Sequence, residues 1–210
     1  MTPGSHDPSP TPSDPAAGLE VTDLDVLMVC SGNTCRSPMA MALLDHHLRR
    51  RGVLARVHSA GTLGWGGPAT ANSVTVLAER GIALDHHMSR RIDAGMVVGA
   101  DLVLGMTRDH VGGSLIHDPT AVDRAFIIGE VVRLAERVGP PEPGRPLRDW
   151  TTELAARREP GRPPGRLADE VADPVGEPLD VYRRTAERLD GLTEAIADLL
   201  VGSMRHQPTA

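Results

Sequence analysis

"VLMVCSGNTCRSPMA" occupies residues 26–40, and its reading decides the fold. An apolar run of strand length, residues 25–30, ends at Cys30 and gives way to a loop of small and polar residues. Arg36 and Ser37 follow, and Pro38 suits the first turn of a helix. Over residues 38–51 the side chains of Met39, Leu43, Leu44 and Leu48 share one helical face, and Gly52 suits the position just past the end. A loop between a strand and a helix N-terminus collects backbone N–H groups with no internal partner, and with the helix dipole they form an anion site. In a tight turn such groups line a concave nest. Gly32 and Asn33 suit that turn, because Gly and Asn tolerate left-handed backbone angles best. Arg36 adds a permanently charged planar fork matched to phosphate oxygens.

Cys30 stands at the floor of this nest. The field that holds a phosphate also favours a thiolate, and the Ser37 hydroxyl can donate a hydrogen bond to the sulfur. Nucleophile, oxyanion cradle and charge clamp together suit attack on a phosphate ester through a phosphocysteine intermediate. The plainer reading of a Cys-x5-Arg spacing alone is a buried strand-end cysteine and a surface arginine.

The rest of the chain sets bounds on that chemistry. Its 210 residues suggest one domain of ordinary size plus tails. Aromatics make up 2 %, so the core must be aliphatic, and all basic side chains apart from His are Arg, since Lys is absent. A net charge of −6 argues against a nucleic-acid partner. No apolar run approaches the ~20 residues of a membrane helix. The Pro-, Ser- and Asp-rich stretch at residues 1–22 lacks the features of a secretory signal and reads as a disordered tail. A cytoplasmic protein is expected. Cys30 and Cys35 are the only cysteines, which is neither a disulfide framework nor a structural zinc site.

Beyond the opening stretch, residues 56–59 and 101–106 read as strands, and 71–80, 108–116 and 130–138 as helices. Residues 139–165 are dense in Pro, Gly and Arg and read as a long excursion containing one short helix near 148–158. After Pro178 the residues Val181, Thr185, Leu189, Leu192, Ile196 and Leu199 recur at helical spacing, an amphipathic closing helix. Strands alternating with helices predict an α/β sandwich on a mostly parallel sheet. The main unit is expected over residues 23–202, with a C-terminal tail at 203–210.

The string "VCSGNTCRSPMA" resembles the signature of the low-molecular-weight protein tyrosine phosphatases, Cys-x-Gly-Asn-x-Cys-Arg-Ser-Pro-x-Ala, at every fixed position. "SAGT" at residues 59–62, "DLVLGMTRDH" at 101–110 and the Asp173-Pro174 pair before the closing helix resemble later segments of that family in the same order. The resemblance implies a three-layer α/β sandwich with a four-stranded parallel sheet and flanking helices. It implies a phosphomonoester hydrolase acting on a phosphorylated protein or small phosphomonoester, without metal or cofactor, and with phosphate or sulfate held in the loop. Cys30 and Arg36 are then catalytic, and Ser31, Gly32, Asn33, Thr34, Cys35 and Ser37 bind the substrate. In this family the second cysteine, here Cys35, can pair with the nucleophile; a packing role is the other reading.

A leaving phenolate needs a proton from a nearby carboxylic acid. Asp-Pro occurs at Asp7, Asp14, Asp118 and Asp173. The first two lie in the tail, a turn explains Asp118, and Asp173 matches the family's general acid and later base. Trp65 matches a family position where an aromatic walls the pocket, though a loop anchor explains it equally. Arg90 and Arg91 read as a solvated face, and the adjacent pairs His46–His47 and His86–His87 do not read as metal ligands. Val175-Gly176 stands where many family members carry tyrosines. Two other functions fit the loop: arsenate reduction on the same fold, and phosphate binding without turnover. A nucleotide-binding loop lacks its Gly-Lys-Ser/Thr.

Overall fold

The computed structural model describes residues 20–161 and 164–204, with backbone alone at 20, 21, 203 and 204. Of the expected tails at 1–22 and 203–210, residues 1–19 and 205–210 lie outside the described residues, whereas 20–22 begin the first strand and 203–204 end the last helix. Four strands form one parallel sheet in the order β2-β1-β3-β4: β1 Glu20–Cys30, β2 Val53–Gly61, β3 Leu102–Gly105 and β4 Ala125–Ile127. The helices are α1 Arg36–Arg50, α2 Ala71–Ala78, α3 Ala94–Gly99, α4 Arg108–Leu115, α5 Ile128–Val138, α6 Leu147–Ala155 and α7 Leu179–Met204.

The period-two alternation of the strands builds two cores. Val26, Met28 and Cys30 of β1, with Leu102, Leu104 and Phe126, face a layer that includes α1, α5 and α7. Leu27 and Val29, with Val103, Ala125 and Ile127, face the other side and pack on Val97 of α3 and Val111 of α4. This is the three-layer sandwich the sequence led us to expect. β1 starts five residues before its apolar run, and its pairing register shifts between Val21 and Asp25. Polar residues hold that extension: Thr22 Oγ1 donates to the Leu54 carbonyl at 3.2 Å, and the Asp25 N–H to Asp101 Oδ2 at 3.1 Å.

Because β2 and β3 flank β1 on opposite sides, the connections leaving β1 and β3 diverge at their carboxyl ends. That divergence opens a crevice where open α/β sheets bind ligands. Three segments meet there: the 31–35 loop, the turn entering α4, and the stretch before α7. The last is anchored to the sheet end by the Val171 N–H, which donates to the Met106 carbonyl at 2.8 Å.

The described part of the Pro/Gly/Arg-rich excursion packs beside β4. Within it, the buried Trp150 of α6 donates from Nε1 to the Gly139 carbonyl at 2.9 Å. Arg158 reaches Glu130 of α5 at 3.0 Å, donates to the Ala125 carbonyl at 2.7 Å and the Val122 carbonyl at 2.8 Å, and lies 4.2 Å over the ring of Phe126. The Glu130 side chain is 1 % exposed, and removing the partner of a buried charge is strongly destabilising. Arg158→Ala should therefore lower the unfolding free energy by about 3 kcal/mol, read as a lower urea midpoint. An unchanged midpoint would show that this cation is dispensable to the packing of the excursion.

Candidate active site

Six consecutive carbonyls, from Cys30 to Cys35, point out of the loop and are all occupied. They accept from the N–H groups of Thr62 (2.9 Å) and Leu63 (3.0 Å), Ser89 Oγ (2.7 Å), His87 Nε2 (2.8 Å), the Thr70 N–H (2.8 Å) and the Met39 N–H (3.1 Å), in that order. The backbone N–H groups of residues 31–35 have no acceptor among the described residues. Asn33 makes the reversal possible with φ of 55°, in the left-handed region that Asn tolerates. α1 begins directly afterwards with no acidic residue in its first turn and no side-chain cap at Cys35, so nothing of its own answers the positive end of its dipole.

Asn33 is fully buried and fully used. Its Nδ2 donates to Ser37 Oγ (3.0 Å) and Ser59 Oγ (2.8 Å), while Oδ1 accepts the Arg90 N–H (3.0 Å). Ser37 Oγ receives that N–H, lies 3.0 Å from Cys30 Sγ, where either atom can donate, and can donate to the Ala60 carbonyl at 3.4 Å. Amide, hydroxyl and sulfur thus form a hydrogen-bonded chain that reaches the nucleophile candidate.

The Arg36 side chain is buried. Nη2 donates to Asp173 Oδ2 at 2.5 Å and Nη1 to the Val171 carbonyl at 3.2 Å, whereas Nε is buried and unpartnered. Asp173 is 41 % exposed at its side chain, and its Oδ1 accepts the Val175 N–H at 3.2 Å. Asp118 is engaged elsewhere. It caps the turn Pro119–Asp123 through the Thr120 N–H and pairs with Arg124 at 2.7 Å.

The indole of Trp65, 57 % exposed, lies against Gly32: a Cβ there would stand 2.3 Å from its Cε3. Gly61 is under the same constraint, with the Ser31 carbonyl 2.5 Å from where its Cβ would be. Burial pushes the Cys35 thiol up to about 12, opposed by a hydrogen bond from Ser73 and reinforced by Asp173 and Cys30 nearby. Cys35 is therefore held protonated. Among the described residues no cluster of three or more His, Cys, Asp or Glu could hold a metal ion, and no helix is long and apolar enough to cross a membrane.

A family model described as low molecular weight phosphotyrosine protein phosphatase matches residues 25–141. The chain belongs to that family. Among curated proteins, it is 44 % identical over 88 residues to the protein-arginine-phosphatase of Bacillus subtilis, covering 41 % of this chain and 58 % of that protein. It is 33 % identical over 125 residues to the low molecular weight protein-tyrosine-phosphatase Etp of Escherichia coli, covering 59 % of this chain and 80 % of that one. Among solved structures, YwlE arginine phosphatase as a cysteine-to-serine mutant with phosphorylated active site serine superposes with a TM-score of 0.64 at 31 % identity, over 83 % of this chain and 94 % of that chain.

The structure brings Cys30, Arg36 and Asp173 together with the 31–37 segment and Trp65. It also adds residues the sequence reading had set aside. His87, read only as half of a non-metal pair, holds the Asn33 carbonyl. Arg90, read as a solvated side chain and exposed in the structure, also donates from Nε to the Ser59 carbonyl (2.9 Å) and from Nη2 to His58 Nδ1 (3.0 Å). His110, at the third position of α4, reaches Ser31 Oγ at 2.9 Å.

Burial, then the Arg36 charge, lower His110 to about 4 from an ordinary 6.5. Burial also lowers His58 and His87. Between pH 6.5 and 4 the unfolded chain binds a proton that folded His110 refuses, so stability falls as the pH drops through that window. His110 alone accounts for up to about 3 kcal/mol of that loss. Urea melts at pH 7.5 and 4.5 should show it, and His110→Gln should lose less stability on acidification than the wild type. Equal losses would contradict a histidine buried neutral.

Proposed function

We propose that residues 23–202 form a cysteine-dependent phosphatase. The observation that carries this reading is the set of unanswered donors around Cys30: five loop N–H groups and the buried Arg36 Nε. Leaving a buried donor unpaired costs roughly 1–3 kcal/mol, and a phosphoryl group seated above the sulfur satisfies several of these donors at once. Phosphate or sulfate would occupy the same place.

In this mechanism Cys30 Sγ attacks phosphorus, the S–P bond forms and the P–O bond of the ester breaks. Asp173 gives its proton to the departing oxygen. The loop N–H groups and Arg36 stabilise charge on the equatorial oxygens, so the residues present supply what the step needs. Asp173, now a carboxylate, takes a proton from water, which attacks the phosphocysteine and releases inorganic phosphate. The 2.5 Å contact between Arg36 and Asp173 places the carboxyl beside the phosphate site and favours its carboxylate form, the one that acts as base in the second step. The relative whose active-site serine is phosphorylated supports a covalent intermediate.

Trp65 offers an exposed ring face beside the loop, which favours an aryl phosphomonoester such as phosphotyrosine. A second reading is phosphoarginine. Val175 stands beside Asp173 where an aromatic would grip a phenyl ring, and relatives at 44 % and 31 % identity are arginine phosphatases. Cys35 completes the proposal. Peroxide oxidation of Cys30 to a sulfenic acid, then condensation with the Cys35 thiol, releases water and forms a protective disulfide.

Hydrolysis of p-nitrophenyl phosphate should proceed in the presence of chelator. Cys30→Ser should abolish it, and Asp173→Ala should slow kcat by roughly 10²–10⁴. Turnover by the Cys30→Ser variant would defeat the covalent mechanism. Phosphotyrosine and phosphoarginine peptides assayed side by side decide the substrate class by their kcat/KM ratio.

A further inference from the structure

His110 sits where α4 enters the crevice, and its tautomer is fixed by its surroundings. The Thr107 N–H approaches Nδ1 at 3.1 Å, and the Thr107 hydroxyl lies 2.9 Å from the same nitrogen. A backbone N–H can only donate, so Nδ1 is an acceptor and the ring proton resides on Nε2. Nε2–H then points at Ser31 Oγ, 2.9 Å away, and the serine oxygen accepts. The serine proton is left over, with no acceptor among the described residues. Ser31 is the residue directly after Cys30, half-exposed at the mouth of the nest.

We infer that the Ser31 hydroxyl donates a hydrogen bond to an oxygen of the phosphorylated substrate, with His110 as the positioning residue that turns it into an obligate donor. The inference rests on the phosphatase reading above and adds a side-chain contact to the backbone cradle. The surroundings keep the device in one state. Burial of His110, then the Arg36 charge, disfavour protonation of the ring, and Asp109, Asp173 and Glu170 oppose them more weakly. A protonated ring would turn a second N–H on Nδ1 against the Thr107 N–H.

The test is a double-mutant cycle on kcat/KM for p-nitrophenyl phosphate at neutral pH, with a thermal melt of each variant to score the folded fraction. Ser31→Ala, which leaves α4 untouched, should lose roughly tenfold or more, and Ser31→Thr should keep most of the activity. His110→Ala should lose a similar factor, the double variant should lose no more than the worse single one, and His110→Gln, which retains an amide N–H near the Nε2 position, should recover part of it. Wild-type activity in Ser31→Ala, or losses that multiply in the double variant, would overturn the inference while leaving a Cys30-dependent phosphatase intact. A wild type that shows no Cys30-dependent turnover would instead remove the phosphatase reading, and this inference with it.

Discussion

The structure depends on turning one short loop inside out. Six successive carbonyls face the protein and six donors from four separate segments meet them, which commits the N–H groups to the cavity. That arrangement is costly in isolation, because buried peptide donors without partners are among the least tolerated features of a fold. It persists because the residues following β2, the entry to α2, the 87–90 stretch and the first turn of α1 each contribute a fixed partner. The glycines at 32 and 61 serve the same end, since a side chain at either would collide with Trp65 or the loop backbone.

The electrostatics follow from that constraint. Among the side chains contacting the loop, Arg36 is the buried cation, and it is tied on one side to a backbone carbonyl and on the other to a carboxylate that reaches solvent. Nearby groups that could carry charge are kept neutral: burial holds Cys35 as a thiol and His110 as a neutral imidazole, and shifts His87 in the same direction. The two cysteines, five positions apart, therefore have opposite surroundings, one under the Ser37 hydroxyl and one packed toward Ser73 and Tyr182.

What could be read from the sequence was whatever is local. The 30–37 motif is contiguous, so its loop, its arginine and the helix behind it were legible, as was α7 from five apolar positions and Thr185 at helical spacing. β4 is three residues long and α3 six with two glycines, too short for either period to register. The polar start of β1 was hidden because Thr22, Asp23 and Asp25 interrupt its apolar pattern. His87 and His110 are 54 and 79 positions from their loop partners. No spacing rule links them to it; only the strand order brings them there. Asp173 lies 137 positions from Arg36 and was found through family resemblance, not through periodicity.

Arg158 has a consequence for how this molecule meets others. β4 is the outermost strand on its side of the sheet, and an open strand edge is a template for pairing with another chain. Here the guanidinium occupies the Ala125 carbonyl, while its Glu130 partner also accepts the Ile127 N–H at 3.3 Å. The excursion thus acts as a built-in guard against sheet extension, and self-association by strand addition is closed off on the β4 side.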